Sequence, residues 1–233
     1  MCKGPGNAPV PAPAPREPYS PGMAAARQHP VFARVWTRMS GRVGSERQRS
    51  ELLAGLSGRV LEVGAGDGRN FALYPPGVQE VVAIEPEPYL RERALRAAAG
   101  APVRVSVIDG IAESLPLADG ACQAAVTSLV LCSVSDPRAA LAEIARVLSP
   151  GGELRFFEHV LAGHPLGALA QRRLDGWGVW PHLAGGCHLA RDTVAAIGAA
   201  GFSVEQLRPL PSGLGGLGIP FVLGAARLDA VPA

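Results

Sequence analysis

The sequence predicts an α/β fold: a mostly parallel sheet of seven strands, helices on both faces, and an antiparallel seventh strand. Three observations predict it. Apolar runs of strand length alternate with helix-periodic segments from residue 59 to residue 200. One run, Val60-Leu61-Glu62-Val63, passes directly into the turn Gly64-Ala65-Gly66-Asp67-Gly68, the junction at which open α/β sheets hold nucleotide-like ligands. The last two runs, 202–207 and 219–228, are joined by a glycine-rich turn over 213–218 without a helix, as in an antiparallel pair at a sheet edge.

Taken in order, the chain begins with a proline-rich stretch. Pro5, Pro9, Pro11, Pro13, Pro15, Pro18 and Pro21 deprive residues 1–29 of backbone donors, and little apolar surface is available to bury there. A disordered or polyproline-like tail is expected, followed by one domain over 30–233. Val31, Phe32, Val35, Trp36 and Met39, then Leu52, Leu53 and Leu56, repeat at helical spacing. Helices ahead of the first strand either pack on the sheet or close over a ligand.

The first strand is expected over 59–63, and a helix follows Gly68 through Asn70, Phe71 and Leu73, ending near Tyr74-Pro75-Pro76-Gly77. The second strand covers 80–84, and Pro86 and Pro88 open a helix that Gly100 ends. The third strand is 103–108, the stretch 110–116 is a loop, and the fourth strand is 121–129. Asp136-Pro137 caps a helix to 148, Ser149-Pro150-Gly151-Gly152 turns the chain, and the fifth strand is 153–159. Residues 160–190 read as irregular, with His164, Trp177, Trp180, His182 and His188. Arg191-Asp192-Thr193 opens a last helix to 200.

Composition excludes several classes. The 233 residues suit one domain with a sizeable core, and 22 basic against 20 acidic side chains leave a net charge of +2. That balance gives no electrostatic case for nucleic acid or an acidic membrane. Cys2, Cys122, Cys132 and Cys187 show no CxxC and no paired spacing, so neither a metal site nor a disulfide framework is expected, and a reducing cytoplasm fits. There is no apolar run of about 18 residues, and Met1-Cys2-Lys3 is followed by prolines, so neither a membrane span nor a signal peptide is expected.

The candidate site follows from the glycine spacing. Gly64, Gly66 and Gly68 give G-x-G-x-G, whereas dinucleotide enzymes favour G-x-G-x-x-G; Arg69 stands where their third glycine would be. Glu62 precedes the first glycine by two positions, and Glu85 ends the next apolar run 21 residues after it (85 − 64 = 21). A carboxylate at that strand end can accept hydrogen bonds from both hydroxyls of a ribose.

Four motifs then stand in order: Glu62-x-Gly64-x-Gly66-x-Gly68; Glu85; Asp109-Gly110-Ile111-Ala112-Glu113-Ser114-Leu115-Pro116; and Leu148-Ser149-Pro150-Gly151-Gly152. Over roughly 58–228 the chain resembles the class I S-adenosylmethionine-dependent methyltransferases with a methyltransferase type 11 domain, whose sheet is Rossmann-like. The resemblance implies S-adenosyl-L-methionine as cofactor. Glu62, Gly64, Ala65, Gly66, Gly68 and Asn70 would lie around its methionine and ribose portions, with Glu85 and Pro86 at the ribose. Asp109, Gly110, Ile111 and Ala112 would flank the adenine, and Leu129 and Val130 would line the adenine or the methyl end. The family's usual acidic residue is replaced by Ile111, so the adenine amine contact must come from elsewhere, from Asp109 or from backbone.

Three further stretches narrow the resemblance: Gly68-Arg69-Asn70-Phe71 with Tyr74-Pro75, Leu129 to Val134, and Phe157-Glu158-His159-Val160. They resemble the branch that contains the alkyl-thiol methyltransferases. Animal members of that branch carry an N-terminal membrane anchor, and the proline-rich tail here gives no ground for carrying it over. The implied function is in-line methyl transfer to a small, largely apolar acceptor: a thiol, a phenol or an amine. Phe32, Trp36, Cys132, Trp177, Cys187 and His188 are the expected acceptor pocket, in which 160–190 is a substrate-side insertion; Cys187 and His188 alternatively stabilise the turn Gly185-Gly186-Cys187-His188. His159 at the end of the fifth strand is either a general base or a structurally satisfied histidine. Two other readings are a nicotinamide-dependent oxidoreductase, which the glycine spacing opposes, and a module that binds S-adenosylmethionine without turnover. The expected partner is a small-molecule acceptor, with neither nucleic acid nor membrane; the oligomeric state is left open.

Overall fold

A computed structural model describes residues 30–39, 44–210 and 219–229. The expected tail at 1–29 and the glycine-rich turn at 213–218 lie outside the described residues. Two helices precede the sheet, α1 (Pro30–Met39) and α2 (Glu46–Leu53). Ser45 and Gln48 cap α2 reciprocally, each side chain taking the other's backbone N–H. The core elements are β1 (Gly58–Val63), β2 (Val78–Ile84), α3 (Pro88–Ala98), β3 (Arg104–Ile108), β4 (Cys122–Ser128), α4 (Pro137–Val147) and β5 (Leu148–His159). After them come α5 (Pro165–Gly176), α6 (Val179–Leu183), α7 (Thr193–Ala199), β6 (Phe202–Leu210) and β7 (Phe221–Leu228).

The seven strands form one sheet in the order β3-β2-β1-β4-β5-β7-β6. The pairs β1–β2, β1–β4, β2–β3 and β4–β5 are parallel, whereas β7 runs antiparallel to both β5 and β6. Alternate residues of each strand face opposite sides, which divides the core in two. Leu61, Val82, Ala125 and Phe156 pack with Leu141, Ile144 and Val147 of α4 and Ile197 of α7. Val60, Val81, Ala124 and Phe157 pack with Leu52 and Leu53 of α2 and Ala94 of α3. Both faces are therefore covered, as the apolar runs predict.

The structure departs from the sequence reading in three places. The helix expected after Gly68 is a single 3-10 turn, Phe71–Leu73. Pro75 and Pro76 cut it short, and buried Glu62 draws Asn70 and Tyr74 inward at 2.8 Å each. The turn expected at 149–152 lies within β5: Leu148 already pairs with Cys122, and the register slips before Ala124. Residues 160–190 are not irregular, because α5 and α6 occupy much of them. His164 caps α5 by accepting the Gly167 N–H at 3.0 Å through Nδ1, a role for histidine that composition did not signal.

At Gly224 of β7 an added Cβ would fall 2.7 Å from the Gln206 carbonyl oxygen and against the Phe156 ring. Backbone on one side and a fully buried ring on the other leave no room to shift. Gly224→Ala is expected to destabilise the fold by about 1–3 kcal/mol, as overpacking does. The check is the midpoint of urea unfolding at unchanged slope.

Candidate active site

The site lies where β1, β2, β4 and β5 reach their carboxyl ends, on both sides of the crossover between β1 and β4. Its first half is the turn after β1. Gly64, Gly66 and Gly68 all have positive φ, +66, +60 and +81°. Gly64 is pressed against Val130, so a Cβ there would sit 2.6 Å from Val130 Cγ2; a Cβ on Gly66 would meet nothing within 4 Å. The turn is thus closed toward β4 at Gly64 and open at Gly66, which leaves bare backbone for a ligand.

Glu85, at the end of β2, faces that turn. Its Oε2 accepts the Gly66 N–H at 2.7 Å and its Oε1 accepts the Glu87 N–H at 3.0 Å. Burial pushes its pKa up to about 7, against the pull of those two N–H groups. Each oxygen keeps a second lone pair for a ribose hydroxyl. Asp109, after β3, is turned to Arg91 at 3.1 Å, while Arg91 also donates to the carbonyls of Glu85 and Pro86. Gly110, Ile111 and Ala112 lie buried beside it. Glu62 and Asn70, both expected at the cofactor, belong to a network beneath the turn. Asn70 donates to Glu62 and accepts from Arg49 at 2.9 Å, and Tyr74 donates to the other Glu62 oxygen. Burial lifts Glu62 to about 7 as well.

The second half is built on β4 and β5. Leu129 has φ +61°, the one non-glycine residue with positive φ among the described residues. Such a conformation costs on the order of 1–3 kcal/mol and persists only where the surroundings fix it. Here they do. The Leu129 N–H donates to the Phe157 carbonyl at 2.8 Å, and the next two N–H groups, Val130 and Leu131, both donate to Glu158 Oε1 at 3.1 Å. The sharp turn brings Cys132 back toward the end of β5, where His159 stands. The Cys187 loop completes the group: the His188 N–H donates to the Cys132 carbonyl at 2.7 Å, and Asp175 of α5 accepts from Leu189 and Ala190.

Cys132, His159 and Cys187 are buried together, their ligand-type atoms all within 4.8 Å of one another. Cys187 Sγ lies 3.0 Å from His159 Nδ1, and the ring packs on Phe221. Burial lowers the His159 pKa, but Cys132, then Glu158 and Asp175, outweigh it and hold the ring above its ordinary value. The Cys132 thiol is pushed up by its hydrogen bond with Cys187 and by burial. His188 is half-exposed, 3.9 Å from Asp175, and its pKa is lowered by partial burial and by Arg191.

The structure therefore brings most expected residues to one edge. Gly64, Ala65, Gly66, Glu85, Ile111, Ala112 and Val130 line the first half; Cys132, His159 and Cys187 form the second. Phe32 of α1 lies against Gly185, where a Cβ would overlap its ring. The side chain of Trp36 lies outside the described residues, and Trp177 is 70% exposed at the end of α5. Sequence reasoning missed Glu158, Asp175 and Arg191, the last of which donates to the Leu131 carbonyl at 2.7 Å. A carboxylate after Phe156-Phe157 in an apolar run was the available signal. It also expected no metal-ligand set, because positions 132, 159 and 187 share no local spacing; only the fold brings them together. A separate cavity of about 250 Å³, lined by Leu131, Arg138, Arg191 and Thr193 among others, is not the glycine cradle.

The seven-stranded sheet with its cradle opposite a buried strand-end carboxylate defines a class I S-adenosylmethionine-dependent methyltransferase, and the open backbone at Gly66 fits that cofactor. Residues 61–156 match the methyltransferase domain family model. Over 184 residues the chain is 38% identical to Thiol S-methyltransferase TMT1B of Homo sapiens, covering 75% of this chain and 73% of that protein. It is similar in fold to an S-adenosylmethionine dependent methyltransferase from Mesorhizobium loti, with 21% identity, a TM-score of 0.59, and coverage of 80% of this chain and 100% of that one. It is also similar to a geranyl diphosphate methyltransferase solved with GPP and sinefungin, with 16% identity, a TM-score of 0.60, and coverage of 78% and 76%. The chain belongs to the S-adenosylmethionine-dependent methyltransferases, in the same family as the thiol S-methyltransferases it resembles. No helix among the described residues is long and apolar enough to cross a membrane.

The raised pKa of Glu85 has a defined pH signature. With Glu85 expected at the ribose, the hydroxyls would donate to the charged carboxylate, and binding would release a proton below about pH 7. Affinity for S-adenosylhomocysteine is expected to fall by up to about tenfold per pH unit below that point. Stability of the free protein runs the other way. Glu62 and Glu85 are raised from 4.5 to about 7, so their contribution is present below 4.5 and is lost as the pH rises through about 7. Calorimetric titration between pH 5.5 and 8 tests the binding arm, and Glu85→Gln should flatten it.

Proposed function

We propose that this methyltransferase acts on a small, largely apolar thiol. The observation that carries this reading is the buried Cys132–His159–Cys187 group at the carboxyl ends of β4 and β5, next to the cofactor cradle. Bound S-adenosylmethionine supplies a methyl group on an electrophilic sulfonium, which a nucleophile displaces in line. The chain's own residues then have three tasks: to hold the cofactor, to exclude water and to favour an anionic sulfur.

Gly64, Ala65, Gly66, Gly68 and Glu85 with Pro86 hold the methionine and ribose portions. Gly110, Ile111 and Ala112, together with Leu129 and Val130, enclose the adenine and the methyl end. With Asp109 paired to Arg91, backbone takes the place of the acidic side chain that Ile111 replaces. Glu62 and Asn70 fix the turn from beneath.

α1 and α2 with the 160–190 segment form the acceptor side. Arg69 donates to the Thr37 carbonyl at 3.1 Å, and Arg34 lies 5.1 Å from the Tyr89 ring centre. With Phe32 on Gly185, these contacts let α1 span from the cofactor turn to the Cys187 loop as a lid. Leu166 and Leu169 on α5, Val179 on α6 and Trp177 between the helices are exposed apolar side chains of that segment. A net charge of +2 on the whole chain supports a small molecule over nucleic acid.

A thiol needs little help to ionise, its pKa being about 8.5. His159, whose pKa is held above its ordinary value, stands at the carboxyl end of β5, where a bound thiolate can accept a hydrogen bond from its ring. A phenol or amine would instead need the ring as a base. In chelator-containing buffer, His159→Ala is expected to slow thiol methylation by less than the roughly 10²–10⁴-fold that loss of a general base brings. The measurement is the pH–rate profile of both proteins with one thiol, one phenol and one amine. Turnover of the phenol or amine with none of the thiol would overturn the thiol assignment.

A further inference from the structure

We propose that Cys132, His159 and Cys187 form a binding site for one thiophilic metal ion, zinc or an ion of similar softness, with a fourth position open to the acceptor thiol. The metal site stands on geometry alone; the open position rests on the thiol reading above.

Three donors of the right type converge, two thiol sulfurs and one imidazole nitrogen, all within 4.8 Å of one another. Tetrahedral zinc, at about 2.3 Å from sulfur and 2.0–2.1 Å from nitrogen, separates its donors by roughly 3.5–3.8 Å, within that envelope. Thiolate and imidazole together select zinc or copper(I) over magnesium and calcium. Three protein ligands with one vacant position is the arrangement of catalytic zinc; structural zinc takes four.

Each donor is held by its own anchor. Glu158 fixes the turn that carries Cys132, antiparallel pairing with Phe221 fixes His159, and Asp175 fixes the loop that carries Cys187. The donors are 1, 7 and 6% exposed, so water is largely kept out. Phe32 of α1 covers Gly185, two residues before Cys187.

With an ion in place, an acceptor thiol binds as its thiolate and its proton leaves to solvent. Its sulfur forms the new S–CH₃ bond as the methyl–sulfonium bond breaks, and that electron pair stays on the sulfur of S-adenosylhomocysteine. The product thioether is neutral and a weaker ligand than the thiolate, which favours its release.

The test uses the full chain, reduced, stripped with chelator, saturated with S-adenosylhomocysteine and titrated with Co²⁺ as the spectroscopic probe. Thiolate-to-cobalt charge-transfer bands and intense tetrahedral d–d bands are expected, saturating at one ion per chain and displaced by zinc. Cys132→Ser, Cys187→Ser and His159→Gln should each weaken binding by more than roughly a hundredfold, beyond the range of second-layer substitutions. Retained thermal stabilisation by S-adenosylhomocysteine verifies that each variant is folded. A thiol should shift the d–d bands, and zinc should raise the rate of thiol methylation.

If folded, cofactor-binding wild type gives no charge-transfer bands, the metal site is overturned while the thiol reading stands. Bands that persist in the Cys132→Ser/Cys187→Ser double variant also overturn it. Bands indifferent to thiol, with methylation indifferent to zinc, overturn the open position. Saturable cobalt binding without methylation of any thiol supports the metal site and overturns the thiol reading.

Discussion

The structure depends on buried carboxylates that accept backbone N–H groups from neighbouring turns. Glu85 holds Gly66, Glu158 holds Val130 and Leu131, and Glu143 of α4 holds the Leu115 N–H at 2.8 Å. Each such loop would otherwise leave orphaned donors in a low-dielectric interior, at roughly 1–3 kcal/mol per group. The loops these residues organise follow β1, β3 and β4. Burying a carboxylate is costly too, and the raised pKa values of Glu62, Glu85 and Glu158 record that cost. The two costs meet at one place and largely offset each other, so sharp turns persist where apolar packing alone would not hold them.

Glu158 has the longest reach. Both N–H groups after Leu129 converge on one of its oxygens, and this keeps a leucine at φ +61°. Val130 then presses against Gly64, so the turn after β1 and the turn after β4 are fitted to each other. The same turn delivers Cys132 beside His159, the residue following Glu158. One carboxylate therefore fixes both the side of the glycine turn that Val130 closes and the position of Cys132 beside His159. Its negative charge also helps keep the His159 ring above its ordinary pKa.

How much of this the sequence discloses depends on how local the physics is. The succession of seven strands and the glycine turn after β1 were legible because apolar period and glycine spacing lie within short windows. The placement of Glu85 at the end of β2 was legible for the same reason. The 3-10 turn at Phe71–Leu73 was not, because the pull of Glu62 on Asn70 and Tyr74 is tertiary. Helices α5 and α6 were hidden by glycines at 163, 167, 176 and 178 and by a cap made from His164, an unusual N-cap residue. The Cys132–His159–Cys187 group had each member marked singly for the acceptor side, but no spacing rule joins residues separated by 27 and 28 positions (159 − 132 and 187 − 159).

That difference in locality bears on how such an enzyme changes its substrate. The half proposed for the cofactor is continuous, from β1 through its glycine turn to the end of β2, and a Cβ on Gly64 would meet Val130 while one on Gly68 would meet Ala97 and Phe71. The acceptor half is assembled from α1, the β4 turn, the end of β5 and the 160–190 segment, joined by a few contacts such as Phe32 on Gly185 and Asp175 on Leu189. Replacing a surface of α5 or α6 leaves Glu85, Gly66 and Glu158 untouched. On the proposed division, specificity can therefore drift in the acceptor half at little cost to cofactor binding. The buried Cys–His group is the exception within that half, since it is tied by Glu158 to the same turn that closes the cradle.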